Sequence, residues 1–430
     1  MHRRIVPRRI WLYVAGAVVL TLVAVLLAVN LLGGETKIER RLERLYTVES
    51  PQFARDLGFL LGPQVVGGNR YRVLLNGDAI FPAMLAAIRS AKQSITFETY
   101  IYWSGDIGRA FADALAERAR AGVKTHLLLD WLGSVKMDEA MVEEMKRAGV
   151  QVQRFHPPHW THLSRLNNRT HRKILVVDGR IGFTGGVGIA PEWTGNAQDP
   201  DHWRDTHFEV EGPVVAQMQA VFLDNWIKAS GNVLHGPVYF PPIEAVGNGS
   251  AQMFSSSPTG GSESMQLMYL LAITSASRSI DLAASYFVPD DLSRAALLEA
   301  VKRGVKLRIV VPGEHIDSDT VRSASRATWG PLLAAGAEIA EYRPTMFHCK
   351  VMIVDGLLVS VGSTNFDNRS FRLNDEATLN IIDPVFAREQ TAIFEADLAR
   401  SKRISFAEWS ERPLKERLLE RLASVLDSQL

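Results

Sequence analysis

His171-Arg-Lys-Ile-Leu-Val-Val-Asp178 and His348-Cys-Lys-Val-Met-Ile-Val-Asp355 are two copies of one pattern, H-x-K-x-x-x-x-D. In each copy a run of aliphatic residues follows the lysine, and an Asp-Gly pair ends the run. Asp-Gly between two apolar runs is a strong signal for a tight β-hairpin turn. A pair of small residues follows each hairpin, Gly185-Gly186 in the first copy and Gly362-Ser363 in the second. The sequence therefore predicts the same hairpin twice.

The histidine and the lysine of each copy should project from the same face of a strand. Residues i and i+2 of a strand share a face, whereas the residue between them points to the other side. His171 therefore accompanies Lys173, and His348 accompanies Lys350. Cys349 lies between the second pair, so we expect it to be a small core residue rather than a nucleophile.

The duplication extends well beyond the hairpins. Each half has two stretches of strand composition that enclose a helical stretch: Ser94 to Tyr102 and Lys124 to Asp130 in the first half, Arg278 to Tyr286 and Lys306 to Val311 in the second. Asp290 and Asp291 are suitable caps for the second helix. A β-α-β unit implies parallel strands with a right-handed crossover. We therefore predict an α/β fold of two pseudo-symmetric halves, each a mixed, mostly parallel sheet flanked by helices.

The expected units follow from this repeat and from composition. The first half would span 65–235 and the second 263–400, joined by a linker at 236–262 that is rich in Gly, Pro and Ser. The last unit, 401–430, would be an amphipathic helix from Pro413, with Leu414, Leu418 and Leu422 on one stripe. We expect that stripe to pack against the globule; binding to a membrane surface is the alternative.

The N-terminus predicts a membrane anchor at 1–34. Trp11 to Gly34 carries no charge and is long enough to cross a bilayer. A cleaved signal peptide is the alternative, although the run exceeds the usual length and lacks a clear cleavage site. A juxtamembrane segment, 35–64, would begin with a short amphipathic helix from Lys37 to Tyr46. Basic residues on the two flanks are nearly balanced, which favours an extracytoplasmic globule only weakly.

Composition excludes several classes of site. The chain has 430 residues, is 47% hydrophobic and has a formal net charge of +1. This balance gives no global basic field, so nucleic acid is not an expected partner. A single cysteine excludes an internal disulfide and a zinc site with several thiolates. The segment His156-Pro-Pro-His159-Trp-Thr-His162 has histidines but no nearby carboxylate or thiolate, so we expect a loop at a cleft mouth rather than a metal site.

Two imidazoles and two ammonium groups in one cleft would suit a phosphodiester. The lysines would neutralise its oxygens, one imidazole would attack phosphorus, and the other would protonate the departing alkoxide and then deprotonate the incoming hydroxyl. Such a scheme requires neither a metal nor another cofactor.

The duplicated motif resembles the signature of the phospholipase D superfamily, and its flanks are similar to bacterial cardiolipin synthases. The resemblance extends from about Val65 to the C-terminal region. It is carried by Asn168 to Gly179, Phe183 to Gly186, Trp203 to His207, Glu211 to Pro213, Tyr286 to Asp290, Gly362 to Asn374, Glu376, Trp409, Arg412 and Pro413.

The resemblance implies that two phosphatidylglycerol molecules react to give cardiolipin and glycerol, with phosphatidylethanolamine as another possible donor. It implies His171 as nucleophile and His348 as acid and base, within a catalytic set completed by Lys173, Asp178, Lys350 and Asp355. Asp205 and Glu376 would orient the histidines, unless they form ordinary surface ion pairs. Asn365, Ser363 and Gly186 would contact phosphate. Gly188 departs from the family, which usually has Asn there, and this predicts an asymmetric phosphate site.

Three functions remain open at this point. The first is phosphatidyl transfer at a bacterial inner membrane by a single-pass protein. The second is hydrolysis of a phospholipid, or of a nucleic acid, by the same covalent chemistry. The third is a non-catalytic membrane scaffold, which two complete motifs make the least favoured. Sequence leaves the acceptor and the oligomeric state undetermined.

Overall fold

The computed structural model describes residues 8–32, 38, 40–157, 167–258 and 264–424. The first helix, α1 (Arg8–Leu32), contains an 18-residue window, Arg9–Leu26, with a mean hydropathy of 2.1 and no buried residue. It is long and apolar enough to cross a bilayer, a property that it shares with N-terminal signal sequences. The helix fits the expected anchor; residues 1–7, 33 and 34 of that unit lie outside the described residues.

The first half contains the following elements after α1. Its helices are α2 (Pro51–Leu61), α3 (Asn76–Ser90), α4 (Asp106–Arg120), α5 (Glu139–Arg147) and α6 (Val214–Ser230), with a short 3-10 helix at Pro191–Trp193. Its strands are β1 (Val66–Leu75), β2 (Ser94–Thr99), β3 (Lys124–Asp130), β4 (Gln151–Phe155), β5 (Arg169–Thr170), β6 (Ile174–Val177), β7 (Ile181–Gly185) and β8 (Thr206–Glu211).

The second half repeats the central part of this order. Its strands are β9 (Gly249–Ser256), β10 (Ser279–Ala284), β11 (Phe287–Val288), β12 (Lys306–Pro312), β13 (Glu338–Tyr342), β14 (Lys350–Val354), β15 (Leu358–Gly362), β16 (Phe366–Asp367), β17 (Asn374–Ile382) and β18 (Ser401–Ile404). Its helices are α7 (Ser264–Ser275), α8 (Asp291–Lys302), α9 (Asp319–Ala334), α10 (Asn368–Arg372), α11 (Pro384–Ala399), α12 (Phe406–Ser410) and α13 (Leu414–Ser424).

One mixed sheet runs through both halves of the described chain. Its order is β18-β13-β12-β10-β14-β15-β17-β9-β1-β8-β7-β6-β2-β3-β4, and β5 pairs with β17. The predicted β-α-β units are confirmed, because β2 and β3 are parallel, as are β10 and β12. The expectation that each half is mostly parallel is wrong: apart from the parallel pairing of β17 with the two-residue strand β5, the hairpin strands, β8, β1, β9 and β17 pair antiparallel with their neighbours in this sheet.

Both predicted hairpins form. β6 pairs with β7 and β14 with β15, and the Asp-Gly turns between them have left-handed backbones at both positions, with φ of 52° and 62° in the first turn. Glycine tolerates this conformation without strain and aspartate better than most residues, which explains the Asp-Gly pair. Asp290 caps α8 by accepting a hydrogen bond from the Ser293 amide, as expected.

Three local expectations are corrected. Residues 40–46 form no helix; instead Ser50 caps α2, where Pro51 favours a helix start, and Phe53 and Leu57 are buried in the core of the second half. The linker 236–262 contains β9, a central strand between β17 and β1. The unit 401–430 begins with the edge strand β18 rather than a helix.

The C-terminal helix packs differently from the prediction. α13 contacts α9, but through Glu420 and Ala423, which are buried. Glu420 accepts hydrogen bonds from Arg412, and that guanidinium stacks on Trp409. The leucine stripe, Leu414, Leu418 and Leu422, is exposed, and residues 425–430 lie outside the described residues.

Candidate active site

A cleft of about 320 Å³ lies between the two halves. Both histidines of the duplicated motif line it, together with Lys173; the other lining residues are Tyr100, Ile101, Trp103, Arg169, Trp193, Trp203, Tyr286, Asp317, Val321, Asn365, Asp367, Arg369 and Asn374. A concave site at a domain junction with convergent polar groups is the usual form of a small-molecule site. The fold therefore brings the two copies of the motif together.

Backbone hydrogen bonds between the halves hold each histidine in place. The amide of His171 donates to the carbonyl of Asp375 at 2.8 Å, and the amide of His348 donates to the carbonyl of Arg204 at 2.8 Å. The prediction that Cys349 points away from His348 and Lys350 into the core is confirmed. Its side chain lies in an apolar cluster between the halves and is 1% exposed. Burial raises the pKa of this thiol to about 12, which keeps it protonated.

Each histidine is oriented by a carboxylate from the opposite half. Nδ1 of His171 lies 2.9 Å from Oε1 of Glu376, and Nδ1 of His348 lies 2.7 Å from Oδ2 of Asp205. Both carboxylates are buried, so they are not surface ion pairs. A carboxylate at Nδ1 fixes the ring and leaves Nε2 for the substrate.

The two lysines lie beside their histidines. Nζ of Lys173 donates to the carbonyl of His171 at 2.7 Å, and Nζ of Lys350 donates to the carbonyl of His348 at 2.9 Å. Lys350 also donates to Ser285 Oγ at 2.7 Å. Burial lowers the pKa of Lys173 to about 7 and also lowers that of Lys350.

At neutral pH both imidazoles are neutral and both carboxylates are ionised. Burial, aided by the lysines, lowers the pKa of His171 to about 4 and that of His348 to about 3, although Glu376 and Asp205 act in the opposite direction. Burial opposes ionisation of Asp205 and Glu376, but the histidines and lysines outweigh it and lower the pKa of each carboxyl. A bound phosphodiester anion would raise the pKa values of the histidines.

Asp178 and Asp355 do not reach the cleft, so their assignment to the catalytic set is corrected. Each lies at the far end of its hairpin. Asp178 accepts hydrogen bonds from the backbone amides of Lys92, Gln93 and Ser94. Asp355 does the same for residues 277–279. These aspartates connect each hairpin to the loop before the neighbouring strand.

Of the residues expected to contact phosphate, Asn365 lines the cleft and the other two do not. The Ser363 hydroxyl donates to Glu376, so it positions that carboxylate. A side chain at Gly186 would overlap the carboxylate of Asp205, so this glycine makes room for it. These two assignments are corrected to positioning roles.

The expected asymmetry at Gly188 is visible in the structure. A Cβ added there would lie 2.7 Å from Cβ of Ile101 and 3.1 Å from the Trp193 ring, so this side has no room for an asparagine. At the corresponding position of the second half, Asn365 Oδ1 accepts a hydrogen bond from Ser285. An asparagine at this position of the repeat is therefore present in the second half and absent from the first.

Sequence reasoning missed several aromatic residues around the histidines. The Tyr100 ring lies 5.2 Å from that of His171, and Trp193 and Trp203 lie 5.2 Å and 5.5 Å from His348. Nε1 of Trp193 also donates to Oδ2 of Asp205 at 2.9 Å. Sequence signals existed for Tyr100, which directly follows a buried strand of the repeat, and for Trp203, which begins the family-like stretch Trp203 to His207. Of the segment from His156 to His162, residues 158–162 lie outside the described residues.

Comparisons with known proteins identify relatives of the chain. A family model described as "Cardiolipin synthase, PLD-like domain" matches residues 84–226 and 269–398. "Probable cardiolipin synthase YwiE" of Bacillus subtilis is 37% identical over 361 residues, which is 84% of this chain and 72% of that protein. "Cardiolipin synthase 1" of Bacillus cereus is 34% identical over 407 residues, which is 91% of this chain and 79% of that protein.

A solved structure shares the fold. Phosphatidylserine synthase of Haemophilus influenzae Rd KW20 has a TM-score of 0.65 at 12% identity and covers 88% of this chain and 100% of its own. At this identity the likeness concerns the fold alone. The family model and the curated relatives span most of both halves, and they show that the chain is a phospholipid-modifying enzyme that belongs to the cardiolipin synthase family of phospholipase D-like proteins.

Proposed function

We propose that this protein is a cardiolipin synthase that transfers a phosphatidyl group from one phosphatidylglycerol to another through a phosphatidyl-histidine. The observation that carries the proposal is the pair of neutral, buried histidines that line one cleft, each with a carboxylate at Nδ1. Two oriented imidazoles match a reaction with one nucleophile and one acid and base.

In the first step, Nε2 of His171 attacks phosphorus and the bond between phosphorus and the headgroup glycerol oxygen breaks. His348, protonated when the anionic substrate is bound, gives its proton to that oxygen, and glycerol leaves. Lys173 and Lys350 neutralise the non-bridging oxygens, and Asn365 donates to one of them. Glu376 stabilises the positive charge that develops on His171.

In the second step, a hydroxyl of the acceptor gives its proton to His348 and attacks phosphorus. The bond between phosphorus and His171 breaks, which frees the imidazole and leaves cardiolipin. One phosphodiester replaces another, so the cycle needs no nucleotide. We place the reaction at a bacterial membrane, because the relatives are bacterial and α1 is suited to span a bilayer.

The test is a lipid assay with purified protein in mixed micelles. Phosphatidylglycerol alone should give equimolar cardiolipin and glycerol, resolved by mass. His171→Ala and His348→Ala should each lose at least about 10³-fold in turnover while remaining folded. Phosphatidic acid as the sole product would instead show a hydrolase, a requirement for phosphatidylethanolamine would show a different donor, and retained activity in either variant would contradict the paired-histidine mechanism.

A further inference from the structure

The cleft has two chemically different flanks. Arg169, His171 and Lys173 alternate along the chain, and all three line the cleft. The residue that corresponds to Arg169 in the second copy, two positions before His348, is Met346, which is fully buried. The pseudo-symmetric site therefore has an additional guanidinium on the side of His171 and two tryptophans beside His348, Trp193 and Trp203.

Arg169 is built into the wall of the cleft. Its side chain packs over Trp131, with Cζ 5.2 Å from the ring centroid, and Nη1 donates to the carbonyl of Asn168 at 3.0 Å. The residue is 9% exposed, and its Nε has no hydrogen-bond partner among the described residues. A buried guanidinium with an unused donor is costly unless a ligand completes it.

A second guanidinium, that of Arg369, lines the same flank. Arg369 donates to the backbone and side-chain oxygens of Asn167, the loop residue before β5. Burial lowers the pKa of Arg169, Asp130 acts in the opposite direction, and Arg369 lowers the pKa further, so the two guanidinium charges act on each other. Two like charges at one flank are favoured when an anion lies beside them.

The nearby carboxylates among the described residues make their hydrogen bonds to groups other than the two guanidinium groups. Asp130 faces Arg169, but its carboxylate accepts from the backbone amides of Leu132, Gly133 and Thr170. Asp317 accepts from the Tyr286 hydroxyl, and Asp367 accepts from the Ser370 amide at the start of α10. Burial raises the pKa of Asp367 to about 6, so this carboxylate is still largely ionised at neutral pH and offsets part of the charge of Arg369.

We propose that Arg169 and Arg369 form a second anion subsite, which binds the phosphodiester of the acceptor phospholipid that is not cleaved. The inference rests on the proposed phosphatidyl transfer. The attacking hydroxyl of a phosphatidylglycerol acceptor must lie between the two histidines, and its own phosphate is only three carbon atoms away. A guanidinium on the cleft wall binds such a group through charge-assisted hydrogen bonds. The subsite would thus select a phosphorylated alcohol over water or glycerol.

The experiment compares acceptors with phosphatidylglycerol as the constant donor. Labelled glycerol, glycerol 3-phosphate and phosphatidylglycerol are offered to the wild type, Arg169→Gln, Arg369→Gln and Arg169→Lys. Arg120→Gln, which removes an exposed guanidinium at the end of α4, is the matched control. Glycerol 3-phosphate separates recognition of phosphate from effects of acyl chains and micelles.

In both Arg→Gln variants KM for the two phosphorylated acceptors should rise at least about tenfold relative to KM for glycerol. The same KM ratio for Arg169→Lys should lie between the values of the Arg→Gln variants and of the wild type, and the ratio for Arg120→Gln should equal that of the wild type. An equal change for all three acceptors, or none, would overturn the subsite. If the wild type transfers nothing, the proposed function fails separately. The calorimetric Kd of glycerol 3-phosphate then decides, and equal values for wild type and Arg169→Gln would overturn the subsite.

Discussion

At the scale of single residues, burial determines how the site is charged. Solvent exclusion disfavours every charged form, yet the carboxylates of Asp205 and Glu376 stay ionised because a histidine and a lysine lie beside each. The imidazoles stay neutral for the opposite reason, since the lysines add to the effect of burial. A neutral imidazole is the form that can attack phosphorus.

The charge of Lys173 predicts how activity depends on pH. Its pKa is lowered to about 7, so the free enzyme carries this ammonium below pH 7 and loses it above. The ammonium neutralises phosphate oxygens, so the loss of kcat/KM with rising pH should become steeper above pH 7. Below pH 7 kcat/KM should already decline as the pH rises above about 4, because His348, whose pKa in the free enzyme is about 3, must take up a proton when substrate binds; His171 becomes protonated only near pH 4. Measured with a short-chain soluble phosphatidylglycerol, kcat/KM reports the free enzyme. A slope that stays constant from pH 6 to 9 would contradict this role of Lys173.

Cys349 gives a second prediction at this scale. The thiol is buried between the halves and stays protonated, so Cys349→Ala should retain most of the transfer activity. Loss of the sulfur should lower the free energy of unfolding by about 1 kcal/mol, as small core truncations do. Activity assays and urea titration of the same preparation measure both effects. Complete loss of activity in a folded variant would disprove the face assignment.

At the scale of elements, each hairpin is tied to the loop before its neighbouring strand. Asp178 accepts from three consecutive backbone amides, and one of them, Ser94, is the first residue of β2. The second hairpin makes the equivalent connection through Asp355. The aspartate of the repeated motif therefore sets the register of β6 and β14, and the histidine and the lysine of each copy lie at or just before the start of these strands.

Asp178→Ala should consequently reduce stability more than chemistry. Unpaired backbone amides and a lost charge-assisted acceptor should lower the free energy of unfolding by about 2–4 kcal/mol. Asp113→Ala, on the exposed face of α4, is the control and should change it by less than about 0.5 kcal/mol. Urea titration gives both values. If Asp178→Ala keeps the stability of the wild type but loses turnover, Asp178 takes part in catalysis and the structural role is wrong.

Sequence predicts those elements whose signals are local. The i, i+2 spacing places His171 and Lys173 on one face, and Asp-Gly indicates both turns. A repeated pattern identifies the β-α-β units. Each of these signals depends on residues that are close along the chain. β9 was missed because Gly and Ser are poor strand formers, and its pairing with β1 and β17 decides its conformation. The leucine stripe of α13 was misjudged because Arg412 and Arg326 hold the opposite face through Glu420.

At the scale of the whole molecule, the two halves complete each other's histidine. Glu376 of the second half orients His171, and Asp205 of the first half orients His348. A shared apolar cluster that includes Val176 and Ile353 holds the halves together. This crosswise exchange follows from contacts between residues far apart along the chain, which no local pattern reveals. Duplication has therefore produced one site with two distinguishable carboxylate-histidine pairs.

Substitution of the carboxylate in each carboxylate-histidine pair should slow a different step of the reaction. Asp205→Asn disturbs the acid and base, so it should slow transfer from phosphatidylglycerol by at least about 10²-fold. With phosphatidyl-p-nitrophenol as donor the leaving group needs no proton, so release of nitrophenolate should remain close to the wild-type rate. Glu376→Gln disturbs the nucleophile and should slow release from both donors. Stopped-flow absorbance measures nitrophenolate, and mass spectrometry of the quenched Asp205→Asn protein should detect the phosphatidyl group on His171. The reverse pattern, with release lost in Asp205→Asn and kept in Glu376→Gln, would assign the nucleophile to His348.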